Sequence, residues 1–100
     1  MALEITGDIQ LQGGISIPSC YGRTYFQLAV TGDKVDNIVE FYKDEASYTS
    51  GLGQIFPSIP YNSILQYDRL VDGTDLLTFS NQKIKEQLEA QGYSVVITEL

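Results

Sequence analysis

The chain has 100 residues, 43% of them hydrophobic and 19% charged, a balance that suits one folded core and argues against disorder. Thirteen acidic residues against six scattered basic ones give a formal net charge of −7, so binding to nucleic acid or to an anionic membrane is not expected. Histidine is absent, which removes the commonest general base, the commonest metal ligand and the usual activator of a serine or cysteine nucleophile, and an enzyme is not expected.

Met1-Ala2-Leu3-Glu4-Ile5 lacks the basic start and apolar stretch of a secretory signal, and no apolar run is long enough to span a bilayer. The expectation is synthesis in the cytoplasm without secretion. Leu3 and Ile5 alternate with Glu4 and Thr6, the period of a strand with one buried face. Thr6-Gly7-Asp8 offers a turn or bulge, Ile9 and Leu11 resume the alternation, and Gly13-Gly14 breaks it. Ile15 and Ile17 continue until Pro18, which lacks an N–H and so predicts a strand end or an edge.

Tyr21 to Thr31 predicts a strand with Phe26, Leu28 and Val30 on one face and Tyr21, Arg23, Tyr25 and Gln27 on the other. Thr31-Gly32-Asp33-Lys34 is a tight-turn sequence, and Val35, Val39 and Phe41 then alternate with Asp36, Glu40 and Tyr42 to complete a hairpin. Asp44 to Gly51 predicts a single helical turn with Asp44 as cap and Gly51 as exit. Gly53 to Pro60 reads as an extended crossing, and Tyr61 to Asp68 alternates again. Leu70 to Phe79 is expected to bend at Asp72-Gly73 and return as a short strand, Leu76 to Phe79. A helix is predicted over Asn81 to Gln91, with Ser80 as N-cap and Ile84 and Leu88 as its apolar stripe. Gly92 as C′ makes Tyr93 C″ and Leu88 C3, the pair that meets in a Schellman ending. Tyr93, Val95 and Ile97 alternate with Ser94, Val96 and Thr98 in a last strand. The whole, residues 1–100, reads as one β-rich α+β domain, a small antiparallel β-sandwich or open barrel with one C-terminal helix followed by a final strand.

Candidate sites are few. Asp68, Asp72 and Asp75 cluster their carboxylates in a loop, which can hold a hard cation, but the spacing differs from an EF-hand and turn chemistry explains the same residues. Cys20, beside Tyr21 and near Arg23, has no histidine base and reads as a packing residue; as the single cysteine it forms no intrachain disulfide. Paired carboxylates can hydrolyse glycosides without histidine, but a chain of this size without tryptophan is a poor source of a deep sugar cleft. No catalytic residue, metal ligand or cofactor is assigned.

The seven tyrosines, Tyr21, Tyr25, Tyr42, Tyr48, Tyr61, Tyr67 and Tyr93, fall mostly on the less apolar faces of their segments. Tyrosine provides large amphipathic contact area at protein interfaces, and it also covers sheet faces in monomers. The interface candidates are Tyr21, Tyr25 and Tyr42, which share a face if Thr31 to Lys34 closes a tight turn, with Arg23, Asp36 and Glu40 as a polar rim.

Met1-Ala2-Leu3-Glu4-Ile5-Thr6-Gly7, Tyr21-Gly22-Arg23-Thr24-Tyr25-Phe26, Phe41-Tyr42-Lys43-Asp44-Glu45-Ala46-Ser47-Tyr48 and the ending from Tyr67 to Leu100 give the chain a cadence that resembles small accessory structural proteins of tailed bacteriophages. The resemblance implies a non-enzymatic role in the head, neck or tail of a virion. Its partners would be further copies of the chain and other virion proteins, and no site residue is carried over. The alternative expectation is a small cytosolic regulatory module that binds a peptide or ligand at a sheet edge.

Overall fold

The computed structural model describes residues 1–98 and builds them around one open sheet, with strands β1 (Ala2–Gln10), β2 (Ser16–Leu28), β3 (Lys34–Tyr42), β4 (Ile64–Gln66) and β5 (Ser94–Thr98). Every neighbouring pair is antiparallel and the order is β4-β3-β2-β1-β5. Three helices interrupt the strands: α1 (Glu45–Thr49), α2 (Arg69–Asp72) and α3 (Leu76–Ala90). The expected class, mainly antiparallel α+β with a helix before the final strand, is what forms. The sheet does not close, and α3 supplies the second layer that a second sheet would supply in a sandwich.

Register explains the core. On the face under α3, Val95 stands beside Ile5 and Cys20, and Ile97 beside Leu3, Gly22 and Phe41. These residues, apart from Gly22, join Ile84 and Leu88 of α3 in one apolar cluster. Gly22 keeps that row flat, since a Cβ there would meet Val39 Cγ1 at 3.3 Å. A second cluster, Val35, Leu65, Tyr67 and Phe79, fills the side near β4, with the rings of Tyr67 and Phe79 edge to face at 5.2 Å between centroids.

The β2–β3 hairpin forms as predicted, with Ala29 N–H donating to Lys34 O at 2.9 Å and Gly32 N–H to Ala29 O at 2.9 Å. Buried positions on β2 stop at Thr24, however, and Phe26, Leu28 and Val30 are exposed instead of forming a core face. The apolar ground at that end is taken by the second cluster on the β3–β4 side. Asn37, on the core face of β3 between Val35 and Val39, is fully buried.

Three further expectations are corrected. Pro18 lies inside β2, not at its end, but on a local edge as the alternative expected, because the ladder with β3 begins only at Tyr21; it also sits opposite the register slip between Thr6 and Ile9, where no regular ladder bond is required of it. Tyr61 to Asp68 contributes only the three residues of β4 to the sheet, while the remaining edge of β3 is met by Ser63 O accepting from Asn37 N–H at 2.7 Å and by the Tyr61 hydroxyl accepting from Val39 N–H at 3.1 Å. Leu76 to Phe79 is the first turn of α3 and not a strand, so the N-cap is Asp75 and Ser80 is buried in the helix interior. The helical exit matches expectation: Tyr93 N–H donates to Leu88 O at 3.2 Å and Gly92 N–H to Glu89 O at 3.0 Å, the two bonds of a Schellman ending.

Candidate protein interface

The face of the sheet turned away from α3 is assembled by the β2–β3 register. Tyr21 pairs with Tyr42, Arg23 with Glu40, Tyr25 with Ile38 and Gln27 with Asp36, so the three candidate tyrosines and the whole expected rim share one surface. β1 and β5 extend it, with Glu4 beside Tyr21 and Val96 beside Glu4.

Helix α1 adds a residue that sequence reasoning passed over. Asp44 caps α1 by accepting from Ser47 N–H at 2.7 Å, and the five-residue helix places Tyr48 over the sheet. Its ring centroid lies 5.0 Å from that of Tyr42 in an edge-on arrangement and 5.8 Å from that of Tyr21. The Arg23 guanidinium sits 4.7 Å above the Tyr48 ring, and Arg23 Nη1 donates to the Tyr21 hydroxyl at 3.4 Å. The signal available in the sequence was Tyr48 four residues after the capping Asp44, on a turn that must fold back from β3.

The tyrosines therefore divide into support and surface. Tyr21 is 3% exposed and acts as packing beneath Tyr48, whereas Tyr25 is 46% exposed and its cross-strand neighbour Ile38 56%. Ile38 was not among the expected surface residues, because the alternation of β3 drew attention to its buried partners. The Tyr42 hydroxyl donates to Glu40 Oε1 at 2.9 Å, and that bond to a carboxylate, with the nearby negative charge, pushes the phenol up to about 12. Burial, followed by the charge of Glu40, also moves Tyr25 upward. Both rings stay neutral at physiological pH, so this surface presents hydroxyl donors and apolar ring faces.

The other candidates are placed differently. Cys20 is buried in the core, and burial raises its thiol to about 12, which leaves a neutral packing group. Asp68 caps α2 by accepting from Leu70 N–H at 2.9 Å, and Asp72 Oδ2 accepts from Asp68 N–H at 2.8 Å. Asp75 caps α3 through Thr78 N–H at 3.1 Å and the Thr78 hydroxyl at 2.8 Å, bonds that hold its carboxyl below the usual range. All three carboxylates are thus engaged in turn and cap geometry. Among the described residues, no helix is long and apolar enough to cross a membrane.

No protein-family model, curated protein or solved structure matches this chain. The geometry of the surface is therefore what bears on function.

Proposed function

We propose that the chain is a non-enzymatic assembly protein, an accessory component of a virion head, neck or tail, that acts through protein–protein contacts on the outer face of its sheet. One observation carries the reading: Tyr25 and Ile38 stand exposed side by side on the β2–β3 hairpin, on a face that α3 does not cover, beside a base stiffened by Tyr21, Tyr42, Tyr48 and Arg23. Rigid aromatic and aliphatic anchors ringed by charge are the residues that carry interface energy, because their rotamers are fixed before binding and water is excluded around them. Arg23, Asp36 and Glu40 supply the ring of charge.

The test is co-sedimentation with the products of the genes encoded beside this one. The pair Tyr25→Ser and Ile38→Ser should abolish co-sedimentation while the circular dichroism spectrum stays that of the parent. Co-sedimentation at the parental level by a folded double variant removes the reading.

A further inference from the structure

We propose that β5 is a homodimer seam, its free edge pairing antiparallel with the same strand of a second copy so that two five-stranded sheets become one. This seam runs along the edge of the sheet and needs neither Tyr25 nor Ile38, so it stands whether or not those residues serve assembly.

Within the described residues β5 hydrogen-bonds to β1 alone, and its other edge offers the N–H and C=O groups of alternate residues of Ser94–Thr98 as a template for a further strand. Proteins that must stay apart blunt such an edge with lysine, proline, a bulge or a very short strand. Ser94-Val95-Val96-Ile97-Thr98 contains no charge and no proline, and its pairing with β1 runs through five successive residues without a slip. The opposite edge differs. There β4 is only three residues long, and what it leaves of β3 is met by Ser63 and Tyr61.

The sequence of the strand selects a second copy as the occupant. Antiparallel pairing about a two-fold axis at Val96 sets Ser94 against Thr98, Val95 against Ile97, and Val96 against itself. Val95 and Ile97 already belong to the apolar ground under α3, so their apposition continues the core across the axis. On the outer face the 58% exposed Val96 would be covered by its symmetry mate, between hydroxyl residues that can bond to each other. Two chains of net charge −7 repel, and β5 itself adds none of that charge to the seam.

The experiment is sedimentation velocity of the full chain over a concentration series, with Val96→Lys and Leu70→Lys beside it. The parent should pass from monomer to dimer. Val96→Lys should weaken the dimer by roughly tenfold or more, since it sets like charges directly opposite each other at the axis. It should still fold, because residue 96 stands beside Glu4 in the β1–β5 register. Leu70→Lys, the same charge change at a 95% exposed residue of α2 outside the sheet, should dimerise like the parent. Hydrogen exchange of the parent gives a second reading that needs no variant: the amides of β5 that point away from β1 should gain protection as concentration rises. A parent that stays monomeric, a dimer kept in Val96→Lys at parental strength, or protection gained elsewhere with none in β5 would each overturn the proposal.

Discussion

The Thr24 hydroxyl donates to Asn81 Oδ1 across 2.9 Å in the interior of the protein, joining β2 to α3 over a separation of 57 residues. Asn81 is fully buried and its Nδ2 donates back to Leu77 O at 2.8 Å, so one side chain ties the first turns of the helix both to themselves and to the sheet. Removing either end of the Thr24–Asn81 bond leaves the other as an orphaned buried polar group, which costs about 1–3 kcal/mol. Thr24→Val and Asn81→Ala should each fall in that range by urea denaturation. The double variant should cost less than the sum, because the orphan is removed with its partner. Strict additivity would mean that the two residues do not share a bond.

The exit of α3 predicts a second stability pattern. Leu88 is fully buried in the core cluster, and Leu88→Ala should cost about 2–5 kcal/mol, the range for emptying a packed leucine site. Gly92 has φ +98°, and Gly92→Ala should cost about 1–2 kcal/mol by placing a Cβ in the left-handed region. Lys85, half-buried on the helix flank, should be nearly silent as Lys85→Ala. Denaturant midpoints order the three, and a Lys85→Ala effect equal to that of Leu88→Ala would mean that the helix packs by another face.

What was legible in the sequence is what a few adjacent residues decide. The turn at Thr31 to Lys34 sets the parity of β2 against β3, and with it the shared face of Tyr21, Tyr25 and Tyr42. The Gly92 ending is likewise complete within six residues. The start of α3 is different, because Leu76-Leu77-Thr78-Phe79 suits a short strand as well as a helical turn. Packing of Phe79 against Tyr67 and Val35, far away in the chain, favours the helix, with Asp75 as its cap. Burial of Tyr21 was hidden for the same reason. Alternation put it on the outer face, and only the return of α1 shows that Tyr48 lies on top of it.

Gly7 and Tyr93 make a tight contact at the register slip in β1. Gly7 has φ +154°, and a Cβ built on it would come within 2.9 Å of Tyr93 Cδ1. Gly7→Ala should therefore cost about 1–3 kcal/mol, combining backbone strain with displacement of the ring. In a Tyr93→Ala background the cost should shrink to the backbone share alone. Thermal melts of the four proteins measure this coupling, and an unchanged cost in the second background would assign the whole effect to the backbone.

Glu40 and Tyr42 give the outer face a pH dependence at the alkaline end. The folded phenol ionises at about 12 because it donates to the Glu40 carboxylate, whereas an unfolded tyrosine ionises near ~10. The folded value is the higher one, so the contribution of this bond is fully present below pH ~10 and is lost as pH rises through about 12. Glu40→Gln keeps an acceptor but removes the charge, and ultraviolet titration of tyrosinate should then show one phenol moving down toward the ordinary value. Glu40→Ala should move it further, since the acceptor is gone as well. A titration curve identical in all three proteins would mean that the Tyr42 hydroxyl points to solvent, and Glu40 would then hold neither the ring nor the edge of the tyrosine face in place.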